Sequence, residues 1–191
     1  MTSEPDPLTS GQTRRDVTLS FETISRRAWL GVPLVAAIFL LPHILLWGWR
    51  SLWSALHGHL AALLLIVPVL LASFAGHEAL HGLGFVVFGR ARLADLRLGF
   101  DRSYLAPCAH CQAPMPAWAY RLSTLLPGLL LGVVPGVVGL ATGIGWLTLY
   151  GSAMAVAALG DVLIVWVIRS VPGQTQVMDH PSLPGCVVWE G

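Results

Sequence analysis

The sequence contains no lysine, and only 11% of its 191 residues are charged. Its 11 basic and 10 acidic residues give a net charge of +1. A charge so close to zero gives no indication of a nucleic-acid partner or of a strongly charged substrate. The 3 cysteines are too few for the disulfide framework of a small secreted domain. The low charge and the few cysteines therefore argue against a nucleic-acid-binding protein and against a disulfide-rich secreted domain.

Apolar residues are correspondingly abundant. They make up 55% of the chain, and the mean hydropathy of +0.70 lies outside the range of an ordinary soluble domain. Runs long enough to cross a bilayer cover residues 28–49, 60–88, 122–142 and 146–168. We therefore predict an all-α integral membrane protein with about four transmembrane helices in residues 28–169. Residues 1–27 and 170–191 are expected to be polar tails, the first partly disordered.

The arginines predict the orientation of these helices. They precede the first apolar run, flank the segment between the second and third, and follow the fourth, whereas the opposite side has only Arg50. The positive-inside rule then places both termini and the loop of residues 89–118 in the cytoplasm. We expect the protein in a bacterial inner or plasma membrane, with the lipid bilayer as its first partner.

The second apolar run contains the sequence His77-Glu78-Ala79-Leu80-His81, an HExxH pattern. On a helix, histidines four apart lie about 6 Å apart along the axis and about 40° around it, so both imidazoles can reach one metal ion. Each ionisable residue at the centre of a membrane helix costs about 2.5 to 3.5 kcal/mol, so three of them within five positions indicate a function. The pattern predicts zinc ligands at His77 and His81 and a general acid/base at Glu78.

Depth in the membrane indicates a third ligand. Asp161 lies eight residues before Arg169, at a height similar to that of His77 and His81 in their own run. His43 lies in the opposite half and is better explained as a helix-packing histidine. A His2Asp zinc site is therefore reasonable. A lone membrane carboxylate also serves as a proton-relay group or as a hydrogen-bond partner between helices.

The loop after the second run has two features of its own. Residues 95–100 alternate polar and apolar side chains, which predicts a strand in a β-hairpin. The run Cys108-Ala109-His110-Cys111 contains a single CxxC, which is a weak zinc signal. Reduced thiols are the simplest interpretation of this pair. Redox control of the loop, or a second metal site that includes Cys186, is the alternative.

The chain resembles the putative zincin peptidase family of small bacterial membrane proteins. The resemblance covers residues 60–168 and rests on the runs His77-Glu78-Ala79-Leu80-His81-Gly82-Leu83, Leu125-Leu126-Pro127 and Gly160-Asp161. That family in turn resembles the site-2 proteases, in which a three-helix core carries HExxH on its first helix and an aspartate ligand on its third. The resemblance implies that the last three helices form the core. It also implies that an extended substrate binds beside a strand of the loop, and a simple membrane-associated hairpin is the alternative.

These features together predict a membrane-embedded zinc metalloprotease that acts on a membrane-protein or peptide substrate. Zinc held by three protein ligands activates a water molecule near neutral pH, and Glu78 takes its proton. Two alternatives remain open. One is a zinc hydrolase for a lipid or another amide, and the other is a membrane protein that binds metal or handles protons without proteolysis.

Overall fold

The structure, a computed structural model, describes residues 13–57, 60–101 and 106–190. Most of this part of the chain is helical. The α-helices are α1 (Phe21–Trp47), α2 (Trp49–His57), α3 (Leu60–Val87), α4 (Ala117–Pro127), α5 (Val134–Thr142), α6 (Gly145–Ala157) and α7 (Leu159–Val167). A π-helical segment, Gly128–Val133, joins α4 to α5 without a break.

Three helical stretches are long and apolar enough to cross a membrane: Phe21–Trp47, Ile66–Val87 and Ala117–Thr142. Helices α6 and α7, which meet at a 40° bend, form a fourth candidate span. Large apolar side chains such as Leu30, Leu64 and Trp166 are exposed on the outer faces, as lipid-facing side chains are in a bilayer. Three or four candidate spans agree with the expectation of about four.

Two helical stretches begin earlier than their apolar runs. α1 begins at Phe21, where the hydroxyl of Ser20 caps the helix by accepting a hydrogen bond of 3.2 Å from the Thr23 N–H. The stretch that contains α4 begins at Ala117, before the predicted residue 122. In both cases the helix continues from the apolar run into polar sequence, where hydropathy alone gives no signal.

The tight hairpin between α5 and α6 turns at Gly143. This residue has a φ of +73°, a left-handed conformation that favours glycine. Gly143 ends α5, and α6 begins two residues later at Gly145. The short connection makes α5 and α6 antiparallel neighbours.

The fold also contains two antiparallel sheets, so the expectation of an all-α protein is corrected here. Strands β2 (Leu96–Asp101) and β3 (Ala106–Cys111) form a hairpin in the segment whose alternation predicted a strand. A second sheet has four strands: β1 (Thr13–Thr18), β4 (Met115–Pro116), β5 (Gln176–Asp179) and β6 (Gly185–Glu190). Their order in the sheet is β1-β6-β5-β4.

The four-stranded sheet joins the two ends of the described chain. Thr13 of β1 pairs with Glu190 of β6, and the register runs to Thr18 opposite Gly185. Residues expected to be polar tails therefore form a paired structure. Because strand pairing supplies partners for backbone N–H and C=O groups, even the polar sequence of β1 is ordered by it.

A small apolar core fixes this sheet to the hairpin and to α4. Cys111, Met115, Val177, Cys186 and Val188 are among its fully buried members. They come from β3, β4, β5 and β6, and they pack against residues of α3 and α4. The strands therefore form one unit at one end of the helices. We call this unit the β-cap, and it consists of strands β1 to β6 and the described loop between β5 and β6.

Candidate metal centre

Helix α3 presents the HExxH residues on its inner side. His77 and His81 are buried, and their rings meet edge to face with centroids 4.8 Å apart. Ligand atoms of His77, Glu78 and His81 all lie within 4.8 Å of one another. The local cause is the helical period, which returns to the same face after four residues.

A glycine sets the distance between α3 and α4. A Cβ at Gly84 would lie 2.7 Å from the Cα of Ser123, so the two helices approach too closely for any side chain there. This contact places the Ser123 carbonyl oxygen 3.1 Å from His81 Nδ1. Since a carbonyl only accepts, Nδ1 carries the proton and the lone pair of Nε2 is available to a metal.

Helix α7 brings Asp161 to the two histidines. Its carboxylate oxygens lie 3.1 Å from His77 Nε2 and 3.6 Å from His81 Nε2. Asp161 lies in the first turn of α7, just after the bend at Ala158 that separates α6 from α7. The structure thus brings together His77, His81 and Asp161 from helices that are about 80 residues apart in sequence.

Two separations, each to a different Asp161 oxygen, are close to those between the ligand atoms of a tetrahedral zinc site. Zn–N and Zn–O bonds of about 2.0 to 2.1 Å at tetrahedral angles put neighbouring ligand atoms about 3.3 Å apart. The observed distances of 3.1 and 3.6 Å bracket that value. Asp161 Oδ2 is also buried, and its 3.1 Å approach to His77 Nε2 lacks the geometry of a hydrogen bond, so this buried acceptor is left for something else to bind. The donor set of two imidazoles and a carboxylate is one that zinc accepts.

Glu78 is held in place by the β-cap. Its Oε2 accepts a hydrogen bond of 2.8 Å from the backbone N–H of Ala109 in β3. Ala109 lies opposite Leu98 in the hairpin, so an N–H that reaches Glu78 points away from β2, along the outer edge of β3. The contact occupies one carboxylate oxygen and leaves Oε1 outside this bond.

A comparison with known families agrees with this geometry. The family described as "Putative zincin peptidase" matches residues 69–175, which is more than half of the chain. The chain belongs to the putative zincin peptidase family. The matched residues contain His77, Glu78, His81 and Asp161 together with the hairpin that contacts Glu78. No curated protein and no solved structure is similar enough to this chain to be matched. Membership indicates a metallopeptidase and implies zinc as its metal.

In this zincin peptidase family member, the candidate metal centre lies at a cavity of about 480 Å³. Glu78, His81 and Asp161 line one part of its wall. Another part of the wall comes from the β-cap, including Asp179 and the loop of residues 181–184 between β5 and β6. The sequence gives no signal for this second part, because a short polar segment after the last apolar run carries no periodicity that would connect it to α3.

The cysteines are placed as buried thiols. Cys111 and Cys186 are both free and fully buried in the same core, whereas the Cys108 side chain lies outside the described side chains. Burial raises the pKa of Cys186 to about 12 and also raises the pKa of Cys111. Both therefore stay protonated at neutral pH, which fits the interpretation of reduced thiols.

His43 has a structural environment. Its Nδ1 lies 2.8 Å from the Thr148 hydroxyl, and its Nε2 lies 3.0 Å from the Ser51 hydroxyl. Both ring nitrogens therefore have partners that connect α1 to α2 and α6. This is the arrangement expected of a helix-packing histidine.

Proposed function

We propose that this protein is a membrane-embedded zinc metallopeptidase that hydrolyses peptide bonds in or near the bilayer. The observation that carries the proposal is the convergence of two imidazole nitrogens and the Asp161 carboxylate at 3.1 and 3.6 Å, beside a glutamate fixed by a backbone N–H. In this assignment His77, His81 and Asp161 hold zinc, and Glu78 is the general acid/base.

The mechanism assigns separate tasks to these side chains. When bound, zinc supplies an activated water near neutral pH and polarises the scissile carbonyl. Glu78 takes a proton from the attacking water through the oxygen that Ala109 leaves open. The water oxygen forms the new bond to the carbonyl carbon. As the C–N bond breaks, Glu78 returns the proton to the departing amine, so the carboxylate is regenerated.

The hairpin offers a strand edge for pairing with an extended substrate. A peptide in a bilayer must satisfy its backbone hydrogen bonds, and an exposed strand edge offers partners for them. The outer edge of β3 passes directly beside Glu78, since Ala109 contacts that carboxylate. A substrate strand paired with this edge would place its backbone at the metal centre. We therefore assign substrate binding to the β3 side of the hairpin.

Strand pairing supports one part of the orientation predicted from the arginines, namely that both ends lie on the same side. Pairing of β1 with β6 places both described ends of the chain on one side of the helices. Two ends on the same side require an even number of crossings, so the bent pair α6 and α7 would form one complete span. The β-cap, both ends and the hairpin would then lie in the cytoplasm, with the metal centre in the adjoining half of the bilayer.

Metal content of the detergent-purified protein tests the site. We expect about one zinc per chain in the wild type and in Glu78→Gln, and loss of zinc in His77→Ala and Asp161→Ala. His43→Ala is the matched control, because it removes a buried histidine that is hydrogen-bonded elsewhere. Retention of zinc in Asp161→Ala would remove Asp161 from the ligand set. Absence of zinc from the wild type after supplementation would favour a protein that handles protons.

A further inference from the structure

Apolar side chains also line the cavity at the candidate metal centre, and they have no task in the mechanism above. They are Ile24 of α1, Phe85 of α3, Ile164 of α7 and Leu183 of the loop between β5 and β6. Four separate elements contribute to this lining, so it is not simply one face of a single helix. We call these four residues the apolar wall.

The apolar wall adjoins the proposed metal ligands. Phe85 lies four residues after His81 on α3, and Ile164 lies three residues after Asp161 on α7. Residues at these spacings are neighbours on one helix face, about one turn or about 5.4 Å apart along the axis. A peptide bound at the metal centre would therefore have this wall within reach of its side chains.

Ile24 brings the first helix to the same place. A Cβ at Gly160 would lie 3.4 Å from Ile24 Cγ2, so Ile24 packs on α7 beside the residue that precedes Asp161. Ile24 and Leu183 both lie outside residues 69–175, which the family match covers. The match thus contains the proposed ligands and general base, whereas these two parts of the wall come from outside it.

Leu183 is held at the cavity by the hydrogen bonds of its loop. The N–H groups of Ser182 and Leu183 donate to His180 Nδ1 at 3.2 and 3.0 Å. The Leu19 N–H donates to the Pro184 carbonyl oxygen at 2.9 Å. Leu183 is nevertheless 39% exposed and is not a member of the apolar core that fixes the β-cap. Core packing therefore does not explain why a large apolar side chain is held here.

Building on the proposed function, we infer that the apolar wall binds a large aliphatic or aromatic side chain next to the scissile bond of the substrate. Ile24 and Leu183 are its specificity-determining residues. Burial of apolar surface favours such a side chain, whereas a charged one would lose hydration there. The cavity of about 480 Å³ has room for it. Neighbouring side chains of an extended peptide point to opposite faces, so only one residue flanking the bond faces the wall.

Mapping of cleavage sites tests the inference. Unfolded casein is digested by the full chain in detergent, and the fragments are sequenced by mass spectrometry. We expect leucine, isoleucine, methionine or phenylalanine at one fixed position beside the bonds that the wild type cleaves. In a synthetic peptide copied from one such site, alanine at that position should lower kcat/KM by about 10- to 200-fold.

Two variants test the residues assigned to the wall. Leu183→Asp should lower kcat/KM for the parent peptide by about tenfold or more and weaken the apolar preference, with zinc content unchanged. Ile24→Ala should enlarge the pocket and shift the preference from leucine toward phenylalanine and tryptophan. Leu93→Asp is the matched control, because it makes the same change at a leucine that is 78% exposed and lies outside the cavity lining.

The inference and the proposed function fail on different results. The inference would be overturned if the wild type showed no preferred side chain on either side of the cleaved bonds. A loss in Leu183→Asp no greater than in Leu93→Asp, together with an unchanged preference in Ile24→Ala, would also overturn it. In both cases the proposed function stands. A zinc-free wild type, or Glu78→Gln as active as the wild type, would overturn the proposed function itself.

Discussion

The helices and the β-cap contribute to the same site by different means. The helices bring ionisable side chains into apolar surroundings, and His77, His81 and Asp161 converge there from α3 and α7. The β-cap contributes a backbone donor at Ala109 and a wall formed by polar loops. In the proposed mechanism the helices supply the metal ligands, whereas the β-cap holds the general base and the substrate.

The largest effect should come from changing the acid/base on the helical side. Glu78→Gln keeps the size of the side chain and the acceptor for Ala109, but it cannot carry the proton. We expect the cleavage rate to fall by about 10² to 10⁴, with zinc retained. The measurement is casein cleavage beside metal analysis on the same preparation. Full activity in this variant would show that the helical side lacks the assigned chemistry.

The next largest effect should come from the β-cap donor. Ala109→Pro removes the N–H that binds the Glu78 carboxylate, and a hydrogen bond to a charged group is worth about 1.5 to 3 kcal/mol, or about a 10- to 100-fold loss of rate. The same edge of β3 already contains Pro107, so a proline there removes no bond to β2. Ala109→Gly keeps the N–H and is the control.

A second proline distinguishes the two edges of the hairpin. If substrate adds to the edge formed by β2, Leu98→Pro should abolish cleavage without removing zinc. If substrate adds to the edge formed by β3, Leu98→Pro should leave cleavage intact. Ala109→Pro cannot separate these cases, because it also removes the bond to Glu78. Intact cleavage by Leu98→Pro would therefore remove addition at the β2 edge from the proposal.

A smaller effect is expected at the contact between α3 and α4. Gly84→Ala would force a methyl group to within 2.7 Å of the Ser123 Cα, and such overpacking costs about 1 to 3 kcal/mol. The thermal midpoint should fall, and zinc should bind less tightly as the Ser123 carbonyl shifts from His81. Gly76→Ala is the control, since nothing lies within 4 Å of its added Cβ. Equal behaviour of the two variants would contradict the close packing.

The smallest effect on function concerns the interior of the β-cap. With a pKa of about 12, Cys186 has about a thousandfold less thiolate at pH 8 than a free cysteine. Iodoacetamide should therefore label it very slowly in the native protein and quickly after unfolding. Peptide mass spectrometry of a Cys108→Ser variant can follow Cys111 and Cys186 separately. Rapid native labelling of Cys186 would show that the core opens.

The sequence predicted the helical part of the site better than the β-cap, for a physical reason. The spacing of His77 and His81 is a local helical property, and the depth of Asp161 follows from counting residues along an apolar run. Their positions in the structure agree with that reasoning, and their role as ligands stays a prediction to be tested by metal analysis. In contrast, β1 pairs with β6 across almost the whole chain, and no local pattern identifies so distant a partner.

Asp179 illustrates what the sequence could not provide. It lies in a short polar strand, and only the folded sheet brings it to His110 and Tyr120. The run that contains Cys108 and Cys111 drew attention to this loop for its thiols. In the structure the contacts come instead from the two residues between them. Ala109 donates its backbone N–H to Glu78, and the His110 imidazole contacts Asp179.

The place of β6 in the sheet has a consequence for the order of assembly. β6 lies between β1 and β5, and it is synthesised after every other element described. The wall of the cavity that carries Asp179 cannot be completed until this strand has left the ribosome. A nascent chain therefore exposes the proposed ligands of α3 and α7 while the β-cap is still unfinished. Under the proposed function, completion of synthesis would separate metal loading from the onset of proteolysis.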